Sequence, residues 1–231
     1  MKIKILGTRG QVETSKPWHS RHSGLLVDEK LLFDVGEEEF LNYNPESIFF
    51  THFHPDHAYF VEHDESVSLP VPVYGPEATD LLENVNILSN KTEFGDYTIT
   101  PIPTIHSLKV KSQGYIIEIE ETRVFYSADM IWIVKDYHQE LENLNAVITE
   151  ASFFRKDGMV RRDSETGKIY GHTGVPDLVN LFSRFTGRII FMHYGNWFLR
   201  DVPAGRKKIK KLGDRGLKLH PARDGEVFQI D

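Results

Sequence analysis

A chain of 231 residues with 40% hydrophobic and 26% charged side chains has enough apolar surface for a substantial core and is too hydrophobic for extended disorder. Its 34 acidic residues against 27 basic ones leave a net charge of −7, which argues against a general nucleic-acid-coating role while allowing a local basic patch. The absence of cysteine removes disulfides, thiolate zinc sites and cysteine nucleophiles together, so a metal site here must use nitrogen and oxygen.

At the N-terminus Ile3 and Ile5 alternate with lysines, which predicts a strand closed by Gly7. No signal-peptide-like apolar region is present and no run approaches about 18 apolar residues, so a soluble cytoplasmic protein without membrane contact is expected. A polar loop over 8–23 carries His19 and His22. Residues 24–27 and 30–34 then form a hairpin-like pair around Asp28-Glu29, with Asp34 ending the second strand. A short apolar strand over 47–51 stops where His52-Phe53-His54-Pro55-Asp56-His57 begins, and a short helix over 58–62 is expected to follow. A strand over 71–74 leads to a predicted helix that starts near Pro76 and uses Leu81, Leu82 and Val85.

The strand over 97–102 runs towards His106. Residues 114–119 and 123–129 form a second hairpin-like pair ending at Asp129, and strands over 146–150 and 188–193 end at Glu150 and His193. Val175, Leu178, Val179 and Phe182 fall at i, i+3, i+4 and i+7, which predicts a helix with Thr173 as its N-cap and Gly187 as its stop. His172 then sits at the helix's positive end. With no linker, repeat or low-complexity tract, residues 1–231 are expected to form a single mixed α/β domain with packed sheets.

Three imidazoles and a carboxylate within residues 52–57 are costly to bury without a cation or hydrogen-bond partner. His52 and His54, at alternate positions, can reach one ion, and Asp56-His57 can turn to a second about 3.5–4 Å away. His106, Asp129 and His193 are suited to complete such a centre. In this order the residues resemble the metallo-β-lactamase superfamily. His52, His54, Asp56 and His57 match its H-x-H-x-D-H motif, and His106 its isolated histidine. Asp129 in Tyr126-Ser127-Ala128-Asp129 matches the S-G-D aspartate, His193 the last strand-end histidine, and Asp34 in Phe33-Asp34-Val35-Gly36 the D-x-G element. Ala128 departs from the pattern, where Gly is usual.

The resemblance implies a four-layer αβ/βα sandwich of two mixed β-sheets flanked by helices. It implies two divalent metal ions, zinc foremost with manganese or iron as alternatives. His52, His54 and His106 would hold the first, Asp56, His57 and His193 the second, and Asp129 would bridge them; a bridging hydroxide would be the nucleophile. Asp34 would accept a hydrogen bond from a ligand imidazole.

Ile148-Thr149-Glu150-Ala151-Ser152-Phe153 and Gly171-His172-Thr173 further resemble the H-E-A-T-F and H-S-T elements of the phosphodiesterase branch. There the histidine matching His172 protonates the leaving oxygen and the glutamate matching Glu150 orients it. His172 and Glu150, together with Asp56 of the H-x-H-x-D-H motif, are the expected catalytic residues. The branch's transfer-RNA 3′-processing endonucleases usually carry a long flexible arm between the positions matching Gly114 and Asp129, and this chain has no room for one.

A small phosphodiester, cyclic or nucleotide-like, is accordingly the expected substrate, with nucleic acid less favoured. The basic run Arg206-Lys207-Lys208-Ile209-Lys210-Lys211 reads first as a solvated surface stretch. Lactonase or other ester chemistry, an endonuclease lacking the arm, and a metal-bound binding module remain as alternatives, and homo-oligomerisation is left open. Trp132, Trp197 and Phe198 are candidate pocket walls, and His22 a candidate for the mouth of the site.

Overall fold

The computed structural model describes residues 1–63, 66–213 and 216–231. The first sheet begins with the alternating N-terminal strand β1 (Lys2–Gly7) and the hairpin β2 (Gly24–Val27) and β3 (Leu31–Phe33), all antiparallel. Three parallel strands extend it: β4 (Ser47–Phe49), β5 (Val73–Gly75) and β6 (Val85–Ile87). The second sheet starts as an antiparallel meander of β7 (Thr92–Phe94), β8 (Tyr97–Ile105), β9 (Ser112–Ile119) and β10 (Thr122–Ala128), with β11 (Trp132–Ile133) on the far edge of β8.

Beyond it β12 (Ala146–Ala151) lies parallel to β10, and a separate hairpin of β13 (Met159–Arg162) and β14 (Ile169–His172) precedes helix α1 (Val175–Phe182). Strand β15 (Arg188–Tyr194), helices α2 (Asn196–Leu199) and α3 (Val202–Lys210) and strand β16 (Lys218–Pro221) complete this half. The last strand, β17 (Val227–Gln229), returns to pair with β1 in the first sheet.

Side chains alternate across each strand, so each sheet has two apolar faces to cover. The inner faces meet each other: Ile5, Leu25 and Phe33 of the first sheet share one buried cluster with Tyr115, Tyr126 and Ile190 of the second. Behind the second sheet, Phe125 and Phe191 pack against Leu178 and Phe182 of α1 and Ile209 of α3. Behind the first, Leu32 and Phe50 are covered by Phe40 and Phe60, which belong to the 3-10 turns Glu38–Tyr43 and Tyr59–Val61. The four-layer sandwich is therefore present, with one outer layer helical and the other built from short 3-10 turns.

Three local expectations differ from the structure. Residues 76–84 do not form a helix, and Val85 belongs to β6. The cause is a competing partner: Leu81 O accepts from Val67 N–H at 2.9 Å and Asp80 O from Ser66 Oγ at 3.2 Å, while Asn84 sits at φ 60. Those carbonyls serve a neighbouring chain rather than an i+4 ladder. Helix α1 is capped by Gly174, not Thr173, and ends at Phe182, ahead of Gly187, where Phe185 and Thr186 both donate to Phe182 O. The helix over 58–62 is only the 3-10 turn Tyr59–Val61. Strands β6, β7, β11, β13, β14, β16 and β17 and helices α2 and α3 were not anticipated, although α3 shows its start in sequence: Asp201 accepts from Ala204 N–H at 3.0 Å with Pro203 in the first turn. No described helix is long and apolar enough to cross a membrane.

Parallel neighbours β10, β12 and β15 end on the same edge, which brings Asp129, Glu150 and His193 together. The loop after β4 and the end of β8 deliver the remaining histidines to that edge.

Candidate active site

Two groups of buried side chains meet at this edge. The first is all imidazole: one ring nitrogen each from His52, His54 and His106 lies within 4.8 Å of the others, and His106 Nε2 is 3.2 Å from His54 Nδ1. Each outer ring is oriented from behind. His52 Nδ1 is 3.1 Å from Thr51 Oγ1, and His106 Nδ1 donates to Gly171 O at 3.0 Å. Burial disfavours a charged ring, so His52 is held well below the usual imidazole range, His54 is lowered to about 4, and His106 is lowered too. The shift favours the neutral rings, the form in which imidazole nitrogens can coordinate.

The second group, Asp56, His57, Asp129 and His193, also falls within 4.8 Å, and its charges are paired. His193 Nε2 is 2.7 Å from Asp56 Oδ2, His193 Nδ1 is 3.2 Å from Asp129 Oδ1, and His57 Nε2 is 3.5 Å from the same oxygen. Burial alone would push the rings down, but the carboxylates outweigh it: Asp129, Asp34 and Asp56 raise His57 well above its ordinary value, and Asp129 with Asp56 raises His193. In return Asp129 and Asp56 are lowered against their own burial, Asp129 chiefly by His193 and His57. Asp34 is itself completely buried and accepts from His57 Nδ1 at 2.8 Å, Tyr126 Oη at 2.7 Å and Thr51 N–H at 2.8 Å.

Asp129 faces both groups. Its Oδ2 lies 4.0 Å from His52 Nε2 and 3.8 Å from His106 Nε2, while Oδ1 addresses His57 and His193. Three atoms aimed into this centre, His52 Nε2, His57 Nε2 and Asp129 Oδ1, are buried without a hydrogen-bond partner. Such orphans are costly unless a ligand satisfies them, and a nitrogen-and-oxygen donor set without thiolate suits divalent cations. The residues present therefore fit metal ions.

Backbone strain collects here as well. Asp34, Ala128 and His193 adopt φ of 57, 48 and 51, left-handed values that side-chain-bearing residues rarely take. This explains why Ala128, where Gly is usual in the resembling family, stands out: the turn that delivers Asp129 suits glycine.

His172 stands beside the cluster at the end of β14. Its Nδ1 donates to Glu150 at 2.9 Å and lies 3.9 Å from Asp129 Oδ2. Glu150 is fully buried, and its other contact is the Met130 N–H at 2.7 Å. Burial opposes charge on His172, but the Glu150 carboxylate and its hydrogen bond, followed by Asp129, raise it to about 9. Sequence reading gave Gly171 no role of its own, yet it holds His106 twice, donating N–H to its carbonyl at 2.7 Å while accepting from its ring. At φ 117, with a built Cβ only 2.0 Å from Met159 O, this position admits only glycine. Also missed were Ser152, 2.9 Å from His193 Nδ1, and Gly10, where a Cβ would lie 2.9 Å from the His193 ring.

The cluster floors a cavity of about 410 Å3 whose walls include Gly10, Phe153, Met159 and Trp197. Trp197 is thus a wall as expected, with Nε1 donating to Ala151 O at 2.8 Å. Phe198 is instead buried and stacked on Tyr194, and Trp132 is 40% exposed away from the cavity. His22 pairs with Glu37 at 2.9 Å in an adjoining cleft that also reaches Asp56. The basic run falls on and just after α3, exposed at Lys207, Lys208, Lys210 and Lys211, and does not line the cavity.

Residues 42–194 match the family model described as the beta-lactamase superfamily domain. No curated protein matches the chain. Among solved structures, the metallo-beta-lactamase fold protein YhfI from Bacillus subtilis superposes with a TM-score of 0.69 at 18% identity, covering 98% of each chain. A diphosphatase from the PhnP family gives 0.69 at 17% identity over 100% of this chain and 98% of that one. Human tRNase Z, short form, gives 0.64 at 15% identity over the whole of both chains. At such identities the likeness is one of fold.

Proposed function

This chain belongs to the beta-lactamase superfamily, and on that footing we propose that it is a divalent-metal-dependent hydrolase of small phosphodiesters. The observation that carries the substrate class is the His172–Glu150 pair, an imidazole held by a buried carboxylate beside the metal-fitting cluster. A phosphodiester needs an acid for its leaving oxygen, which a carboxylate-held histidine is suited to supply. Two structures of similar fold, a diphosphatase and a tRNase, lend further support.

His52, His54 and His106 would hold one ion and Asp56, His57 and His193 another, with Asp129 shared. Such ions, zinc first among them, lower the pKa of water towards neutrality and neutralise charge on phosphoryl oxygens when bound. The chain's own groups do the rest. Glu150 takes the Nδ1–H of His172 and so fixes the ring, leaving Nε2 to carry the transferable proton. As water adds to phosphorus and releases one proton to solvent, the bond to the leaving oxygen breaks and His172 gives that oxygen its proton, later regaining one from solvent. The products are a phosphate monoester and an alcohol. Asp34, Thr51 and Ser152 hold the surrounding rings in place.

Metal-loaded protein offered bis(4-nitrophenyl) phosphate, a cyclic nucleotide, a lactone and a thioester is expected to cleave the phosphodiesters. His172→Ala should keep its metal and lose roughly 10²–10⁴-fold in turnover. Wild-type rates in that variant would remove the acid role, and cleavage of the lactone alone would move the assignment to ester chemistry. If all four substrates survive and Asp129→Ala leaves metal content unchanged, a metal-bound binding module becomes the better description.

A further inference from the structure

A larger groove of about 850 Å3, roughly double the site cavity's 410 Å3, shares His106 with it. One wall is the connection from β8 to β9, with Leu108, Lys109 and Lys111. The other is the β13–β14 hairpin, with Arg162, Lys168 and Ile169. Lys109, Lys111, Arg162 and Lys168 are all exposed, and among the described residues none of them makes an ion pair at 4.0 Å or less. The one carboxylate among the described lining residues, Glu77, accepts the backbone N–H of Lys111 at 2.8 Å. On a chain of net charge −7, four cations along one groove outnumber the nearby carboxylates Glu77 and Asp163 and reverse the local sign.

The groove has a direction relative to the chemistry. Strand β14 runs from Ile169 in the groove to His172 at the cavity. His106, shared by groove and cavity, has its ring centroid 4.8 Å from that of His172. In the phosphodiesterase reading, on which this step rests, the leaving oxygen lies next to His172. A leaving group that reaches past His106 would enter the groove.

We propose that Lys109, Lys111, Arg162 and Lys168 form a binding subsite for a second phosphate carried by the leaving group. The substrate class is then a linear phosphodiester with a phosphate-bearing leaving group, of which a short nucleotide chain is the simplest form. Lysines act as point charges for phosphate and arginine adds a fork of donors. Leu108, Pro103 and Ile169 supply apolar surface for a flat ring between the two phosphates. A small cyclic diester would fill the cavity and leave this groove unused. The basic run on α3, the more conspicuous cationic feature in sequence, lies outside the groove.

The test compares a thymidine dinucleotide bearing a 3′-terminal phosphate on its leaving nucleoside with the same dinucleotide lacking that phosphate. Binding to the full-length, metal-loaded His172→Ala protein is read by calorimetry, and cleavage of bis(4-nitrophenyl) phosphate by the wild type is read separately. The phosphorylated ligand is expected to bind on the order of tenfold more tightly, with the gap shrinking as salt rises. Adding Lys109→Ala, Lys111→Ala, Arg162→Ala and Lys168→Ala should close the gap while metal content stays the same. Equal binding of the two dinucleotides by the parent, or a gap that survives the four substitutions, overturns the subsite. A gap that closes as expected while bis(4-nitrophenyl) phosphate goes uncleaved supports the subsite and counts against the hydrolase reading alone.

Discussion

The two halves of the cluster solve the same burial problem in opposite ways. His52, His54 and His106 are pushed towards the neutral form, because desolvation and the neighbouring imidazoles outweigh the pull of Asp129. Asp56, His57, Asp129 and His193 keep their charge, because carboxylates and imidazoles lie 2.7–3.5 Å apart and stabilise each other. The imidazole half is thus ready for a cation without losing protons. The carboxylate half must release protons from His57 and His193 before both rings can coordinate.

Asp129→Ala should have the largest effect, since it faces both halves. Without metal it strips a buried partner from His57 and His193, a loss of about 3–5 kcal/mol. His52→Ala should also lower metal content but remove a neutral ring and cost less stability, about 1–3 kcal/mol. Denaturant unfolding of both variants in chelator checks the contrast; equal losses would mean that the halves do not differ in charge. Asp34→Asn comes next. It weakens the support of His57 and is expected to lower metal affinity roughly 10–100-fold on the carboxylate side only. Two-site metal titration resolves whether one affinity or both change.

The pH dependence sharpens the same distinction. A ring whose pKa is raised is protonated below that value and competes with the cation, so affinity at the carboxylate half should climb as pH rises from neutral. At the imidazole half the pKa values are lowered, the rings are already neutral, and affinity should stay flat over the same interval. Metal titrations at several pH values would separate the sites by slope. The smallest expected effect is that of Gly10→Ala, whose Cβ would crowd the His193 ring and shift it by tenths of an ångström, costing about 1 kcal/mol. Its signature is a weaker carboxylate-half affinity with the imidazole half unchanged.

Some parts of this arrangement were legible because they are local. The spacing of His52, His54, Asp56 and His57 places four donors on one loop regardless of the rest of the fold, and strand-end polar residues stand out against apolar runs. The period of α1 is equally local, since Leu178, Val179 and Phe182 must share a face. The helix expected after Pro76 failed because its carbonyls were taken by Ser66 and Val67 on a neighbouring segment, a pairing that the helical spacing does not contain. The roles of Gly171, Ser152 and Gly10 were missed because a lone small residue carries no period, and its role exists only through the ring that comes to rest beside it.

What the sequence by itself determined is the chemistry on offer: nitrogen and oxygen donors without thiolate, a local histidine loop, and apolar strands that must be covered on both faces. Only the tertiary structure decided how those donors divide. The parallel ends of β10, β12 and β15 put Asp129 between two groups and seat His172 on Glu150, while the β8–β9 connection and the β13–β14 hairpin, more than fifty residues apart, line a cationic groove. Charge state follows from distance and burial, and neither is written in the order of residues along the chain.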